Sequence, residues 1–298
     1  MLFSIIIPTY NNSVFLKRAI ESIENQTSSN YELIIIDNNS TDDTDQLVKK
    51  SSCKNITYEK INNQGIISKS RNLGIKIAKG DWLIFLDSDD TIYKNKIKFL
   101  TEKLTDDLDL VCNGERLIYV DSKHYKTWKW GPLERNFYSK MLVDGNKFST
   151  SASAVKRIFL KKNNIEFCEK KEFVTAEDYD FFMNIVNAGA KVKFYEEILG
   201  DHYVYKGSLS SNYQLHKNSV KEVLKHHIYN VQNFSQDKNK LWKELQWRFS
   251  IMDFIKEFKE MNYLKSLKFL IHSFINSPLK VSFFLIKNLK KRLLRIVD

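Results

Sequence analysis

The sequence predicts an α/β protein with a mixed, mainly parallel sheet flanked by helices. Apolar runs typical of buried strands, at Phe3–Ile7, Glu32–Ile36 and Ile56–Lys60, alternate with segments of helical periodicity. This alternation favours parallel strands joined by right-handed helical crossovers. A fourth run, Leu83–Leu86, leads directly into Asp87. That residue therefore stands at the carboxyl end of a strand, where open α/β sheets bind ligands.

The first strand is expected to stop at Pro8. The helices of this half are expected at Val14–Gln26 with Ser13 as N-cap, from Thr41 to about Lys50, and at about Ile67–Ala78 with Gly80 just past its end. No Gly-x-Gly-x-x-Gly follows the first strand, and no phosphate-binding P-loop pattern occurs. These absences argue against the dinucleotide-binding and P-loop classes.

The second half has weaker patterns. The expected elements are a helix at about 94–104, a strand at 108–113, a strand or turn entering a helix at 151–160, a helix at 176–188, a strand at 191–195 and an extended piece at 202–205. Thr175 is the expected N-cap of the helix at 176–188, and Gly189 its C-terminal stop. The aromatic stretch 115–150 has no clear period.

The composition is that of a globular chain of 298 residues, long enough for one large domain or two ordinary ones. The three cysteines are scattered without metal-ligand spacing, which is typical of reduced thiols in a cytosolic protein. We expect neither a signal peptide nor a spanning helix, since no run of 18 apolar residues occurs.

The net charge of +11 is concentrated near the C-terminus. Residues 211–298 hold 17 Lys and Arg against 7 Asp and Glu, and they have helical periodicity at 219–231, 240–260 and 263–275. The last stretch, 278–298, reads as a basic amphipathic helix suited to an anionic bilayer surface. The alternative is a solvated helix packed on the rest of the chain. We therefore expect one domain at 1–210 and a helical, basic region at 211–298.

Two acidic groups are candidate functional sites. Asp87, Asp89 and Asp90 repel one another unless a cation lies among them, and hard ions such as Mg²⁺ or Mn²⁺ prefer oxygen ligands. The alternative is a solvated acidic turn that caps the next helix. Glu177 and Asp178 open a predicted helix, where acids also suit the helix dipole.

The order of the motifs resembles that of the inverting glycosyltransferases of family 2, over roughly residues 3–210. The motifs are Ser4–Asn11, Ile34–Asp42, Asn63–Gly65, Ser70–Gly74, Gly80–Asp81, Asp87–Asp90 and Glu177–Tyr179. The resemblance implies the GT-A fold, with a Rossmann-like nucleotide-sugar-binding half at 1–105 and an acceptor-binding half at 106–210. The region 211–298 would be a helical extension.

The resemblance also implies a nucleotide-sugar pocket. Its residues would be Pro8, Thr9, Tyr10, Asn11, Asp37, Asn63, Gly65, Arg71, Asp87 and Ser88. Asp37 would bond the uracil edge, and Arg71 would lie beside the diphosphate or the base. Asp87 would contact the ribose or the metal, and Asp89 would coordinate the divalent ion, Mn²⁺ or Mg²⁺.

His202 is a weaker candidate metal ligand. The segment His202–Ser210 resembles the family's aromatic loop that closes over the donor, but it departs from the usual pattern. Lys206 stands where an Arg is common, and the spacing to Ser208 is short.

On the acceptor side, the resemblance assigns Asp178 as the catalytic base of the Glu177–Asp178 pair. A carboxylate within reach of the acceptor hydroxyl takes its proton as it attacks. Trp128 and Trp130 are candidates for stacking on an acceptor sugar, and a core role is the equal alternative.

The expected reaction moves a hexose or N-acetylhexosamine from a UDP-sugar to a saccharide hydroxyl. The basic tail suits a lipid-linked acceptor at the cytoplasmic face of the membrane, as in O-antigen, capsule or lipooligosaccharide synthesis. The alternatives are a GDP- or dTDP-sugar donor and a non-catalytic sugar-nucleotide-binding protein. A sugar-nucleotide pyrophosphorylase would need a Gly-rich N-terminal signature that is missing. No nucleic-acid partner is expected, because no such motif accompanies the pI of about 9.3.

Overall fold

The computed structural model describes residues 1–207, 211–279 and 281–285. The chain divides into two compact units, 1–223 and 224–298.

Nine strands of residues 1–207 form one sheet in the first unit. They are β1 (Phe3–Thr9), β2 (Tyr31–Asp37), β3 (Ile56–Lys60), β4 (Trp82–Phe85), β5 (Thr91–Ile92), β6 (Leu110–Tyr119), β7 (His124–Trp128), β8 (Ser153–Lys156) and β9 (Val192–Val204). The strand order is β3-β2-β1-β4-β8-β6-β9-β5, and β7 pairs with β6. Strands β3, β2, β1 and β4 are mutually parallel, as are β6 and β9, while β8, β7 and β5 pair antiparallel. The predicted mixed sheet is confirmed.

Helices surround this sheet. They are α1 (Ser13–Glu24), α2 (Thr44–Lys49), α3 (Ile67–Ile77), α4 (Lys96–Lys103), α5 (Phe137–Asp144), α6 (Arg157–Asn163) and α7 (Glu177–Asn187), followed by α8 (Tyr213–His226). Strands β1 and β4 are buried along their whole length. Their continuous apolar sequence fits a sheet that is covered on both faces.

Pro8 lies inside β1, although the sequence predicted that the strand would stop there. In a parallel strand, alternate residues direct their N–H and C=O groups to the same neighbour. The Ile6 carbonyl accepts from the N–H of Leu86, on the side of β4, at 2.9 Å. The backbone nitrogen of Pro8, two residues further on, points to the same side but lies beyond the end of β4. The missing N–H of proline therefore removes no hydrogen bond between the two strands.

Two predicted N-caps are wrong. Helix α1 begins at Ser13 itself, whose N–H donates to an Asp42 carboxylate oxygen at 2.8 Å. Thr175 adopts a left-handed backbone, with φ +81°, and Ala176 is the residue that precedes α7. Both helix starts are thus set by chain geometry and distant partners rather than by the nearest hydroxyl.

The two predicted glycine stops differ in outcome. Gly189 has φ +81° just past α7, as predicted. Gly80 lies further from the end of α3, which closes at Ala78. A Cβ on Gly80 would lie 2.5 Å from the backbone nitrogen of Ser4, so glycine is needed there for the close approach of two chain segments.

The strands of the second half are much longer than the sequence predicts. Strand β6 runs ten residues and β9 thirteen, and they pair with each other along most of their lengths. The unclear stretch at 115–150 holds the end of β6, the hairpin strand β7 and helix α5. Long-range pairing decides these extents, because the local sequence lacks a period-2 pattern.

The second unit, 224–298, is helical where it is described. After the end of α8 come a π-helical turn (His227–Val231), α9 (Lys238–Lys259) and α10 (Tyr263–Asn276). Residues 281–285 are also helical, while the rest of the predicted basic helix, 286–298 with residue 280, lies outside the described residues. Among the described helices, none is both long and apolar enough to cross a bilayer.

Candidate active site

The predicted pocket residues lie at one edge of the sheet. Thr9 and Asp37 close β1 and β2 and are paired in register, and Asp37 is paired with Lys60 at the end of β3. Asp87 follows β4 two residues after its end. The carboxyl ends of these parallel strands therefore meet at one edge, the position where open α/β sheets bind ligands.

Asp37 is fully buried and bonded within the protein. One carboxylate oxygen accepts from the backbone N–H of Ser40 at 2.9 Å, and the other accepts from the Tyr58 hydroxyl at 2.7 Å. Lys60 approaches the second oxygen at 3.9 Å. These bonds hold the turn after β2 in a fixed shape beside Thr9.

Other predicted donor residues lie on the loops around this edge. Tyr10 is 58% exposed, and the Asn11 side chain accepts from the N–H of Thr41 at 2.7 Å. Asn63 is buried and accepts from the N–H of Gly65, which has φ +75°. The Thr9 hydroxyl is buried without a hydrogen-bond partner. An exposed ring and an unsatisfied hydroxyl at the same strand end are features of a surface that receives a ligand.

Arg71 joins the two acidic groups that the sequence singled out. Its guanidinium, only 3% exposed, lies 2.7 Å from an Asp87 oxygen and 2.7 Å from a Glu177 oxygen. The guanidinium carbon also lies 5.1 Å from the ring centre of Phe167. One buried cation thus ties the turn after β4 to the first turn of α7, and Arg71 itself lies 106 residues before Glu177.

The turn 87–90 packs three carboxylates together. The N–H of Asp90 donates to the Asp87 carbonyl at 3.0 Å, and Ser88 accepts from the Asn12 side chain at 3.1 Å. Burial and the charges of Asp90 and Asp87 raise the pKa of Asp89 to about 6. A bound cation would relieve this repulsion, so the carboxylates of Asp87 and Asp89 fit a hard divalent ion.

Aromatic residues of α1 and β9 cover Asp89. The Tyr205 hydroxyl donates to an Asp89 oxygen at 2.9 Å, and its ring stacks on Phe15 at 5.5 Å. Arg18 lies 4.0 Å over the Tyr203 ring and donates to the Asp89 carbonyl at 3.2 Å. The aromatic start of the segment His202–Ser210 therefore lies against the acidic turn; residues 208–210 are outside the described part.

His202 lies in a different cluster, deeper than Asp89. Its Nδ1 is 3.0 Å from an oxygen of buried Asp90, which also accepts from the Ser151 hydroxyl at 2.6 Å. Asp90, Glu115 and His202 bring ligand atoms within 4.8 Å of one another, a grouping that could hold a metal ion. The structure thus offers a second candidate donor set beside Asp87 and Asp89.

This deeper cluster also has its own charge balance. Burial lowers the pKa of His202, but the Asp90 carboxylate outweighs burial and raises it to about 10. Burial raises the pKa of Glu115 to about 6 and lowers that of Lys96 to about 8. Lys96 donates to the Ser151 carbonyl at 2.6 Å. Two cationic and two anionic groups therefore lie side by side, and all are buried except His202, whose side chain is 39% exposed.

Asp178 stands next to the Arg71 bridge. One of its oxygens accepts from the Asn146 side chain at 3.0 Å. Burial and the charge of Glu177 raise its pKa to about 7. A carboxylate with that pKa is half ionised near neutral pH, which suits proton transfer.

The two tryptophans lie next to each other, with ring centres 6.1 Å apart. Trp130 donates its indole N–H to Glu115 at 2.9 Å, whereas Trp128, on β7, is 38% exposed. Sequence reasoning missed Glu115, because it falls in the stretch without a clear period. Asn146 was missed for the same reason, and only its contact with Asp178 identifies it.

The fold and the site define a mixed α/β protein with acidic side chains at the carboxyl edge of its sheet, and comparison with known proteins identifies the family. The model of glycosyl transferase family 2 matches residues 4–163. The chain belongs to this family and is a glycosyltransferase.

Individual relatives agree. The chain is 32% identical over 216 residues to UDP-Glc:alpha-D-GlcNAc-diphosphoundecaprenol beta-1,3-glucosyltransferase WfaP of Escherichia coli, covering 71% of this chain and 80% of WfaP. It is 34% identical over 142 residues to an uncharacterised glycosyltransferase of Rickettsia bellii, covering 47% of this chain but only 20% of that longer protein.

A solved structure has the same fold. Residues 1–349 of S. aureus TarS, in complex with UDP-GlcNAc, superpose with a TM-score of 0.67 over 94% of this chain and 83% of that one, at 21% identity. This likeness confirms the predicted GT-A-type architecture.

Proposed function

We propose that this enzyme is an inverting glycosyltransferase that moves a hexose or N-acetylhexosamine from a UDP-sugar to a saccharide hydroxyl. The observation that carries the proposal is the Arg71 bridge, which brings Asp87 of the donor side and Glu177, the neighbour of Asp178, to one cation at 2.7 Å each. Donor and base must lie close together for direct transfer in one step.

The donor site comprises the strand ends and the turn 87–90. The uracil edge lies against exposed Tyr10 and the turn that buried Asp37 holds in shape, and Asp87 meets the ribose or would help to hold the metal. Asp89 and Asp87 would hold a divalent ion, Mn²⁺ or Mg²⁺, and His202 would be a weaker ligand. When bound, that ion neutralises the charge that develops on the leaving diphosphate.

Asp178 takes the proton of the acceptor hydroxyl. Asn146 holds one oxygen at 3.0 Å, which orients the carboxylate. Attack opposite the leaving diphosphate inverts the anomeric carbon, so Asp178 forms no bond to the sugar. Glu177, Trp128 and Trp130 belong to the acceptor side, where the exposed face of Trp128 is suited to stacking on a sugar ring.

The acceptor is a glycan on a lipid carrier, in the synthesis of O-antigen, capsule or lipooligosaccharide. The name of WfaP supports this assignment, because that relative uses UDP-Glc and a diphosphoundecaprenol-linked sugar. The UDP-GlcNAc bound to TarS supports a UDP-sugar donor. The enzyme works in the cytoplasm at the inner face of the membrane, in contact with anionic lipid through 278–298.

The decisive experiment measures UDP release by the purified protein with Mn²⁺ across UDP-Glc, UDP-Gal, UDP-GlcNAc and UDP-GalNAc. A lipid-diphosphate sugar serves as acceptor, and Asp178→Asn is the matched control. We expect release with one donor and its loss in the control. UDP binding without turnover on any acceptor would instead favour a sugar-nucleotide-binding protein, and binding of GDP or dTDP alone would exclude the UDP assignment.

A further inference from the structure

Helix α10 (Tyr263–Asn276) has its apolar residues on the outside. Leu264, Leu267, Ile271 and Ile275 are 84%, 52%, 52% and 75% exposed. Their spacing of three, four and four residues puts them in one stripe along the helix. Most helices of soluble proteins turn such a stripe toward the core, and contiguous exposed apolar residues mark interaction sites.

The opposite face of α10 packs against α9, and this packing sets the orientation of the helix. Ser266 and Ser273 are buried there. The Ser266 hydroxyl donates to the Phe254 carbonyl of α9 at 3.3 Å, and the Ser273 hydroxyl donates to the Trp247 carbonyl at 2.8 Å. Small side chains allow two helices to approach closely, and both hydroxyls are hydrogen-bonded. The packing against α9 therefore fixes the outward direction of the apolar stripe.

The patch continues beyond the helix at both ends. Met261, in the turn before α10, is 71% exposed, and the exposed Phe258 ring meets Tyr263 edge-on at 5.5 Å. After α10, the side chains of Leu279 and Phe283 are also mostly exposed. Large apolar groups thus extend from the end of α9 past the end of α10.

The sequence is basic from the start of α10 onward, with no Asp or Glu and eight Lys or Arg between residues 261 and 297. Two of these cations, Lys265 and Lys268, are exposed on α10 beside the stripe. Lys265 pairs with Glu257 of α9 at 2.8 Å. An apolar stripe bordered by cations matches a bilayer surface with anionic lipids, because each exposed cation near such a surface adds to the attraction.

We propose that the apolar stripe of α10 is a membrane-binding surface that inserts into the interface of an anionic bilayer. It adds helix α10 to the lipid contact proposed for 278–298 and deepens the proposed function without depending on the sugar donor. A second copy of the chain fits less well, because facing stripes would bring their cations together. The segment 286–298 carries the same sign of charge and fits less well for the same reason.

The test is vesicle flotation of the full chain with phosphatidylcholine alone or with about one third phosphatidylglycerol. The variant Leu264→Ser/Ile275→Ser keeps 278–298 intact and alters exposed side chains, so its thermal unfolding midpoint should be unchanged. We expect its partitioning onto anionic vesicles to fall about tenfold or more. The matched control, Leu133→Ser/Ile158→Ser, makes the same two substitutions at exposed residues of the first unit, 53% and 61% exposed, and should bind like the wild type.

A charge variant separates the two contributions to binding. Lys268→Glu should weaken partitioning severalfold on anionic vesicles and leave that on phosphatidylcholine unchanged. Wild-type binding by Leu264→Ser/Ile275→Ser would overturn the proposal. The proposal would also be overturned if the wild type formed a dimer in solution but bound no vesicles, and if Leu264→Ser/Ile275→Ser dissociated that dimer.

UDP release on a soluble acceptor, measured in parallel, keeps the two proposals apart. Vesicle binding that depends on α10 with no turnover would contradict only the proposed function. Turnover with no dependence of binding on α10 would contradict only this surface.

Discussion

The two carboxylate clusters beside β4 differ in how their charges are compensated. Asp90 and Glu115 are buried and face His202 and Lys96, so their charges are matched inside the protein. Asp89 and Asp178 are only half-buried, and burial together with neighbouring carboxylates raises the pKa of each. Compensated acids hold a structure together, whereas acids left in repulsion gain most from a bound ion or proton.

The largest expected effect concerns which cluster holds the metal. Asp89→Ala should abolish Mn²⁺-dependent binding of UDP, because it removes a ligand from the uncompensated group. Glu115→Gln should change that affinity less than about twofold, since Trp130 and the nearby cations already satisfy the carboxylate.

Calorimetric titration of UDP with and without Mn²⁺ checks both variants. The opposite result, in which Glu115→Gln loses the metal and Asp89→Ala keeps it, would move the ion to the cluster of Asp90, Glu115 and His202.

Arg71→Met should destabilise the fold by about 3–5 kcal/mol, because it leaves the buried Glu177 carboxylate without its cation. Urea unfolding measures this loss. Arg157→Met is a suitable control, because that arginine is more exposed and donates to the Gly80 carbonyl rather than to a carboxylate. Equal losses of unfolding free energy in the two variants would show that the ion pairs of Arg71 add no stability beyond that of an ordinary arginine contact.

Asp178→Asn should lower turnover by at least about a hundredfold while UDP binding stays unchanged, because the amide cannot accept the acceptor proton. Steady-state kinetics and UDP titration on the same preparation separate the two quantities. Near-normal turnover would remove Asp178 from the role of base.

The smallest expected effect is the pH dependence of the wild type. Asp178 has a pKa of about 7, and only its ionised form can accept a proton. Activity should therefore fall about tenfold for each pH unit below 7 and level off above it. A rate that is flat between pH 5.5 and 8, at saturating Mn²⁺, would contradict this assignment; these pH values bracket the pKa by about one unit or more.

Local sequence was sufficient for part of this picture. Apolar runs predicted β1, β2, β3 and β4 to within a few residues, because strands buried on both faces need continuous apolar side chains. The order of polar motifs after those strands predicted the family and the edge where Asp37 and Asp87 lie. The sequence also predicted Gly189 as a helix stop, since only a local left-handed turn is required.

Long-range contacts decided the rest. Nothing near Arg71 predicts that it joins Asp87 to Glu177, because the two carboxylates come from elements far apart in the chain. Glu115 became visible only when β6 paired with β9 and brought it to His202 and Asp90.

The C-terminal unit also shows which properties the local sequence determines and which the tertiary packing decides. The sequence by itself determined that residues 261–297 are apolar and basic, because composition and helical period are local properties. Only the tertiary structure decided that α10 packs through its serines and turns its leucines and isoleucines outward. The direction of a helix face is set by what packs against it, and that partner, α9, lies outside the helix's own sequence.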